Sequence, residues 1–461
     1  MRRCMELAPG QHVFFAGIGG ISMSGLAHAL LDMGFAVSGS DLSEGPALDN
    51  LRQAGAKVYV GHNAANIAGA DLLVRTTAVL DDSPEIRAAG EAGIPIHHRS
   101  ELLAWMCRDR VGIGITGTHG KSTTTAMVAT ILLELGLDPM VFVGAESPRL
   151  GGNYRLGKGR HIVFEACESD RSFLNYVGCS QVITSVEADH LDNYKTFDAV
   201  KDAFARFAGI ADPEGFIVYN VESADVRDVV SSAPARLIPY GLAPDAQLSG
   251  TCIQVGPSGT RFELLIDGQR AGVVHIKPVG EHNVRNALAA LGVALGCGLD
   301  MKAARAALAT YEPIGRRFQH IGSKNGLCVV DDYAHHPTEV RAVLAAARSV
   351  HPGRIIAVFQ PHLRSRTRDL LAEFGGSFAN ADLVVLTDIY QPREDGLADF
   401  DIANLVRAIE DSEPGKEVAL VREMADVPEY LAPLLSANDL VLTIGAGDIV
   451  KIGPAILAAA H

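Results

Sequence analysis

The stretch Val111-Gly-Ile-Gly-Ile-Thr-Gly-Thr-His-Gly-Lys-Ser-Thr123 decides the fold of this chain. Its apolar run predicts a buried strand over Val111–Thr116, and a glycine-rich turn follows at residues 117–120. Helical periodicity then predicts a helix over residues 121–135. A strand, a glycine-rich turn and a helix in this order are typical of a loop that binds nucleotide phosphates.

The residues that follow the turn supply the chemistry of such a loop. Lys121 is predicted to contact the β- and γ-phosphates of the nucleotide, and Ser122 to ligate Mg²⁺. The standard spacing would place a glycine at 115. This chain has Ile115 there and Gly114 before it, so the loop is a variant.

Segments on both sides of this one begin in the same way, with a strand, a turn and a helix. The first has strands at His12–Ala16 and 35–40 and a helix over 23–33. The last has its strands at 327–331, 355–360, 383–387, 418–421 and Leu440–Ile444. Alternation of strands and helices predicts an α/β fold with parallel sheets covered on both faces. Residues 247–274 differ, because alternation and turn residues predict a small antiparallel insertion there.

The glycine-rich turn near the N-terminus predicts a second nucleotide site. Gly17-Ile-Gly-Gly20 joins a strand to a helix, and Asp41 ends the next strand, where a ribose-binding acid would lie. A nicotinamide cofactor is the first interpretation. The third glycine of that pattern is Ser22 here, so the residues alone leave another diphosphate ligand, or a plain tight turn, as alternatives.

Acidic residues follow two predicted strands of the central segment, at Glu165–Asp170 and Glu187–Asp192. Carboxyl ends of parallel strands line one crevice, so these acids should lie near the phosphate loop. Mg²⁺ prefers oxygen ligands, and on chemistry alone His190 is a polar contact rather than a ligand. Helix capping is the alternative role for Asp170 and Asp192.

Three histidines lie at the ends of the first two strands of the last segment: His335, His336 and His362. Arg364 and Arg366 follow shortly afterwards, and an arginine fork suits the carboxylate of an amino acid. These groups are predicted to form one pocket. The alternative is that the two arginines pair with Asp369 or Glu373 on the following helix.

Length, charge and cysteine content limit the classes of protein to which the chain can belong. The 461 residues, of which 48% are hydrophobic, suffice for about three domains. A net charge of −14 argues against nucleic acid as a partner. No apolar run reaches the roughly 20 residues of a membrane span, and no signal-peptide pattern is present. Seven scattered cysteines without a C-x-x-C pair favour a reducing cytoplasm over a disulfide scaffold or a zinc site.

Together these motifs resemble those of the Mur ligases. The resemblance covers essentially the whole chain and rests on these stretches: residues 17–25, 117–125, 165–170, 187–192, Gly280-Glu-His-Asn-Val-Arg-Asn286, Gly315-Arg-Arg-Phe-Gln319, Asp331-Asp-Tyr-Ala-His-His-Pro-Thr-Glu339, Phe359-Gln-Pro-His362, Ser365-Arg-Thr367 and Gly445-Ala-Gly-Asp448.

The resemblance implies three domains. Residues 1–108 would form a Rossmann-like domain for a UDP-sugar, 109–314 a central ATPase domain, and 315–461 a Rossmann-like domain for an amino acid. It also implies an ATP- and Mg²⁺-dependent enzyme, monomeric or weakly dimeric, that joins L-alanine to UDP-N-acetylmuramate through an acyl phosphate. This replaces the nicotinamide interpretation of the front turn.

The family's functional residues carry over to matching positions of this chain. UDP-sugar contacts would be Gly17, Gly19, Gly20, Ile21, Ser22, Asp41 and Thr77. ATP contacts would be Gly117, Thr118, His119, Gly120, Lys121, Ser122, Thr123, Asn283, Asn286, Arg317, Asp331 and Asp332. The resemblance places Ser122, Glu165 and His190 around Mg²⁺, and it makes Lys121, Glu165, His190 and Arg317 the catalytic set. L-alanine contacts would be Tyr333, His335, His362 and Arg366.

Two positions depart from the family pattern. Several sister enzymes carry a carbamylated lysine after the magnesium histidine, but Lys201 is out of register and receives no such role. Many members have arginine directly after the histidine of F-Q-P-H, where this chain has Leu363 followed by Arg364.

Three other functions remain open from the sequence. The first is a ligase that adds an intact tripeptide to the same sugar nucleotide. The second is a nicotinamide-dependent oxidoreductase, which would rest on the front turn and Asp41 alone. The third is a nucleotide-binding protein without catalysis, against which Lys121, Glu165 and the pair His335 and His336 argue.

Overall fold

A computed structural model describes residues 5–391 and 400–459. They pack as two compact units. The first unit holds residues 5–187, 200–248 and 289–308. The second holds residues 188–199, 249–288 and the described residues from 309 onward.

The N-terminal sheet lies in the first unit and is parallel, in the order β3-β2-β1-β4-β5. Its strands are β1 (His12–Ala16), β2 (Ala36–Asp41), β3 (Lys57–Val60), β4 (Leu72–Arg75) and β5 (Ile96–His98). Its helices are α1 (Ile21–Asp32), α2 (Pro46–Gln53), α3 (Pro84–Ala92) and α4 (Arg99–Cys107).

The same unit contains a second sheet, in the order β12-β11-β10-β6-β9-β7-β8. Its strands are β6 (Val111–Thr116), β7 (Met140–Ser147), β8 (Gly152–Arg155), β9 (His161–Glu165), β10 (Ser180–Ile183), β11 (Phe216–Asn220) and β12 (Arg236–Gly241). All pairs are parallel except β7 with β8, which form an antiparallel hairpin. The helices of this part of the chain are α5 (Lys121–Glu134), α6 (Leu191–Tyr194), α7 (Phe197–Gly209) and α8 (Ala224–Val230), of which α6 and the first residues of α7 belong to the second unit.

The predicted antiparallel insertion is present in the second unit. It consists of β13 (Leu248–Gly256), β14 (Gly259–Ile266) and β15 (Gln269–Ile276), and β14 pairs antiparallel with β15. Two helices follow in the chain, α9 (Glu281–Gly296) and α10 (Met301–Leu308).

The C-terminal sheet also lies in the second unit, in the order β16-β17-β21-β18-β19-β20. Its strands are β16 (Gln319–Lys324), β17 (Leu327–Asp332), β18 (Ile355–Phe359), β19 (Leu383–Leu386), β20 (Glu417–Leu420) and β21 (Leu440–Ile444). Its helices are α11 (Pro337–Val350), α12 (Arg364–Asp369), α13 (Leu371–Gly375), α14 (Ala403–Ser412), α15 (Val427–Leu431) and α16 (Gly453–Ala459).

Strand β18 shows why this sheet is covered on both faces. All five of its residues are buried. Ile355, Ala357 and Phe359 belong to one apolar cluster, and Ile356 and Val358 to another. Since successive side chains of a strand point to opposite faces, each cluster is the core beneath one layer of helices.

The α/β fold class and the parallel sheets are confirmed, but five strands were not predicted: β5, β7, β8, β12 and β16. Strand β5 has three residues, β12 contains Pro239, and β8 and β16 are polar, whereas β7 has eight residues and begins with an apolar run. The predicted domain boundaries at 108 and 314 stay predictions. Among the described residues, no helix is long and apolar enough to cross a bilayer.

Candidate active site

The predicted phosphate loop joins β6 to α5, and hydrogen bonds connect it to Ser185, which follows β10. Thr118 N donates to Ser185 O at 3.1 Å, and His119 N to Ser185 Oγ at 2.9 Å. Gly117 has a φ of +133°, and a Cβ atom there would lie 2.1 Å from Thr184 Oγ1. Glycine is therefore required at 117 both by its conformation and by space.

Lys121 begins α5, and its side chain folds back over the loop. Its Nζ donates to Gly117 O at 2.5 Å and to Glu168 Oε1 at 2.9 Å. Burial alone would lower the pKa of Lys121, but the carboxylates of Glu168 and Glu165 outweigh this effect and raise it. The lysine therefore keeps its positive charge at neutral pH, directly at the mouth of the loop.

Two of the predicted magnesium ligands lie in this unit. Glu165 ends β9, and one of its oxygens accepts a hydrogen bond from Gly144 N. Ser122 lies in the first turn of α5 and is buried. A carboxylate and a hydroxyl are oxygen donors of the kind that Mg²⁺ prefers, so the residues fit this metal.

The backbone of the front turn contacts the side chain of Asp41. Gly19 N donates to Asp41 Oδ2 and Leu42 N to Asp41 Oδ1, each at 2.8 Å. The carboxylate that the nicotinamide interpretation assigned to a ribose is thus already used by the backbone. Thr77 lies elsewhere in the unit, where its hydroxyl donates to Asp170 Oδ2 at 3.0 Å.

Helix α1 packs closely on the β7–β8 hairpin. Asn153 Nδ2 donates to Ile21 O, and the ring of Tyr154 stacks on His28 at 5.2 Å between centroids. A Cβ atom at Gly25 would lie 3.3 Å from the Cβ of Tyr154. Gly25, which belongs to the glycine-rich motif in the sequence, therefore serves this contact between helix and hairpin.

A cleft in the first unit connects the front helix to the acid at the end of β9. Ile21 and Ser22 line it from α1, Arg99 from α4, Gly144 from β7, and Glu165 from β9. Two predicted UDP-sugar contacts and one predicted metal ligand thus face the same space. Arg99 was not among the residues predicted from the sequence, because nothing in its local pattern distinguishes it from a first-turn helix residue.

The predicted amino-acid contacts lie together in the second unit. The rings of His335 and His362 are 6.1 Å apart between centroids, and those of Tyr333 and His335 are 5.4 Å apart. Arg366 NH1 lies 3.2 Å from His362 Nδ1. Burial lowers the pKa of His335 to about 3, so its imidazole is neutral and too weak a base to take a proton at neutral pH.

Arg366 pairs with Asp189, not with Asp369 or Glu373. Its Nε donates to Asp189 Oδ1 at 2.9 Å and its NH2 to Oδ2 at 3.3 Å, and both side chains are buried. The alternative that Arg366 pairs with Asp369 or Glu373 is wrong. Burial would raise the pKa of Asp189, but the charge of Arg366 lowers it well below its usual range.

A small cleft lies beside this ion pair. It is lined by Asp189 and His190 and, from the start of α12, by Leu363, Ser365 and Arg366. His190 has a left-handed backbone with a φ of 55°, and its Nε2 lies 3.6 Å from Asp189 Oδ2. The third predicted metal ligand therefore contacts a carboxylate within its own unit.

The remaining predicted ATP contacts also lie in the second unit. Asn286 Nδ2 donates to Asn283 Oδ1 at 3.1 Å, and both residues are buried. Arg317 lies over the ring of Tyr333 at 5.4 Å and 3.9 Å from Glu339. Glu339 also accepts from the backbone N of His335 at 3.0 Å, so it connects the predicted nucleotide contact to the predicted amino-acid contacts.

The two aspartates at the end of β17 accept hydrogen bonds from residues of their own unit. Asp331 pairs with Arg316 Nε at 2.9 Å and accepts from Thr443 Oγ1 at 2.8 Å. Asp332 accepts from the backbone N of Phe318 and of Ala334, each at 2.8 Å, and burial raises its pKa to about 6. Their predicted contact with ATP stays a prediction.

Family models cover three consecutive parts of the chain. They are described as "Mur ligase family, catalytic domain" over residues 12–110, "Mur ligase middle domain" over 115–294, and "Mur ligase, glutamate ligase domain" over 316–447. The chain belongs to the Mur ligase family. The resemblance of its motifs is thereby confirmed, together with the three-domain architecture of the family.

Relatives of this Mur ligase match it over nearly its full length. A UDP-N-acetylmuramate–L-alanine ligase of Geobacter sulfurreducens is 41% identical, with 97% of each chain covered. One of Caldanaerobacter subterraneus is 39% identical, with 98% of each covered. Among solved structures, UDP-N-acetylmuramate-alanine ligase of Thermotoga maritima has a TM-score of 0.82 at 29% identity, covering 97% of this chain and 98% of that one.

A murein peptide ligase of Psychrobacter arcticus has a TM-score of 0.73 at 24% identity, covering 98% of each chain. This likeness shows only that the fold of the Mur ligase is shared.

Proposed function

We propose that this Mur ligase joins L-alanine to the lactyl carboxylate of UDP-N-acetylmuramate, with conversion of ATP to ADP and phosphate. The observation that carries the proposal is the cleft of the first unit, in which Ile21 and Ser22, directly after the front turn, line the same space as Glu165. A sugar nucleotide gripped by that turn would extend its sugar end toward the carboxylate of Glu165. The name and full-length similarity of the relatives support the choice of substrates.

The reaction needs an activated acid, because amide formation from a carboxylate in water is uphill. A carboxylate oxygen would attack the γ-phosphorus, the bond from the γ-phosphorus to the bridging oxygen would break, and ADP would leave. The neutral amine of L-alanine would then attack the acyl phosphate, releasing phosphate and one proton. The protein contributes mainly position and charge, which is typical of phosphoryl transfer.

The phosphate loop would contact ATP both through a side chain and through its backbone, and nearby side chains would hold the metal. Lys121 would move its contacts from Glu168 to the β- and γ-phosphates, and the backbone N–H groups of residues 120–123, at the start of α5, would hold the phosphate oxygens. Ser122, Glu165 and His190 would hold Mg²⁺. Bound there, the metal would neutralise the charge of the phosphoryl group being transferred.

The second unit would bind the amino acid and part of the nucleotide. Asn283 and Asn286 would contact the adenine, and Arg317 and one of the aspartates at 331 and 332 would contact ATP. Tyr333, His335, His362 and Arg366 would surround L-alanine. We also propose that the enzyme works in the cytoplasm, which the scattered cysteines favour, as a monomer or weak homodimer.

The function is tested by coupled ADP release from the full-length protein. We expect turnover only when UDP-N-acetylmuramate, Mg²⁺ and an amino acid are all present, with L-alanine at least about ten times better in kcat/KM than the tripeptide that recycling ligases use. Titration with NADH and NADPH should show no binding. Preference for the tripeptide would identify a recycling enzyme, and ATP hydrolysis without either acceptor would contradict the proposal.

Arg366 is predicted to bind the carboxylate of L-alanine. The Arg366 fork donates to Asp189 through Nε and NH2, and its NH1 lies 3.2 Å from His362 Nδ1 and 3.4 Å from His362 O. One N–H of NH2 is therefore left for a carboxylate. Arg366→Lys keeps the charge but loses this fork, so the KM for L-alanine should rise at least about tenfold while that for ATP stays within about twofold.

The control is Arg368→Lys, at an exposed arginine of the same helix that pairs with its neighbour Asp369. Melting curves are needed beside the kinetics, because removing one partner of a buried ion pair can cost about 3–5 kcal/mol. A parallel rise of both KM values, or no rise in either, would place the amino acid elsewhere.

A further inference from the structure

Arg99 is a cation that faces the cleft of the first unit without forming an ion pair with a described carboxylate. It lies at the start of α4 and lines the cleft of the first unit. Among residues 5–391 and 400–459, no Asp or Glu carboxylate lies within ion-pair distance of its guanidinium. Its electrostatic neighbours are Tyr176, Cys167 and Asp170.

Burial raises the pKa of the Tyr176 hydroxyl far above its usual range, so this neighbour is neutral. The carboxylate of Asp170 attracts Arg99 from beyond ion-pair distance, and it accepts from Ser172 N at 3.0 Å and from Thr77 Oγ1 at 3.0 Å. Arg99 therefore forms no ion pair with a described carboxylate, and its guanidinium can receive an anion that enters the cleft.

The position of Arg99 in the cleft identifies the kind of anion. The cleft begins at the first turns of α1, where Ile21, Ser22 and Gly25 line it, and it reaches Glu165. Glycines 17, 19 and 20, which would hold the diphosphate, do not line it. The part of a sugar nucleotide that lies here is therefore the sugar end. On that end the one anionic group is the carboxylate that becomes phosphorylated.

We propose that Arg99 binds the lactyl carboxylate of the sugar nucleotide and thereby selects muramyl over glucosaminyl nucleotides. This inference rests on the proposed function. An arginine matches a carboxylate with two parallel N–H···O bonds, which gives direction as well as affinity. Arg99 would hold one edge of the carboxylate, so that the remaining lone pairs face the side of the cleft where Glu165 lies.

The test compares two ligands that differ only in the lactyl group. UDP-N-acetylmuramate and UDP-N-acetylglucosamine are titrated calorimetrically into the full-length wild-type protein, Arg99→Gln and Arg99→Lys. In the wild type we expect UDP-N-acetylmuramate to bind at least about tenfold more tightly, since a charged hydrogen bond contributes about 1.5–3 kcal/mol. Arg99→Gln should remove most of that preference and leave the Kd for UDP-N-acetylglucosamine within about twofold. Arg99→Lys should fall between the two.

The matched control is Arg87→Gln, at an exposed arginine on α3 of the same unit, which should change neither Kd. Equal weakening of both ligands in Arg99→Gln would assign the residue to the diphosphate and overturn the inference. An unchanged preference would do so as well. If the wild-type protein showed no preference for UDP-N-acetylmuramate, the proposed function would fail, and the inference with it.

Discussion

Lys121→Ala should lose at least about 99% of ADP formation while still binding UDP-N-acetylmuramate with a Kd close to that of the wild type. The ammonium lies at the mouth of the phosphate loop, where it contacts Gly117 O and Glu168 Oε1. Removing one preorganised group that stabilises transition-state charge typically slows chemistry by about 100- to 1,000-fold. Single-turnover ADP release at saturating substrates measures the chemical step directly.

Lys158→Ala is the control for this variant, since Lys158 is an exposed lysine of the same unit. The Lys121 variant leaves the buried Glu168 without its lysine, so we expect some loss of thermal stability, and circular dichroism must confirm folding at the assay temperature. If a correctly folded variant retained a tenth of wild-type turnover, Lys121 would not be the phosphate-contacting lysine.

Glu165→Gln should raise the Mg²⁺ concentration for half-maximal activity at least about tenfold, or abolish activity. Glutamine keeps an oxygen that can accept from Gly144 N, but it lacks the charge that holds a divalent cation. Loss of a charged contact of this kind costs about 1.5–3 kcal/mol, which sets the size of the shift. The measurement is turnover against free Mg²⁺, with chelator-treated wild-type protein as the zero point.

Glu146→Gln, an exposed acid of strand β7, should leave the magnesium curve unchanged. A wild-type rate that survives chelation would contradict the metal requirement itself. A normal magnesium curve for Glu165→Gln would instead move the metal to other ligands.

Buried parallel strands could be predicted because their local sequence carries the signal. Strands β6 and β21 have the predicted bounds, since a strand covered on both faces is a continuous apolar run. Strand β16 could not be found this way. It pairs antiparallel at the edge of its sheet, and Gln319 and Lys324 at its ends are exposed, so its sequence resembles a loop.

In the site too, residues of one local motif could be predicted from the sequence, but contacts between distant residues could not. Lys121 and Ser122 follow from a motif of adjacent residues, whereas their surroundings depend on residues far along the chain. Glu168 lies 47 residues from Lys121, and Asp189 lies 177 residues from Arg366. Spacing within a motif carries no information on such contacts, so the sequence offered only the neighbouring acids as partners for Arg366.

Gly25 affects how mutational data on the front turn should be interpreted. Its hydrogen sets the distance between a helix and a hairpin, because a methyl group there would meet the Cβ of Tyr154. A larger side chain at this position would push α1 away from the hairpin. The resulting loss of nucleotide affinity would increase with the volume of the new side chain and would not depend on ionic strength. Weakened nucleotide affinity in such a variant would therefore report a displaced helix rather than a missing phosphate contact, although position 25 belongs to the glycine-rich motif.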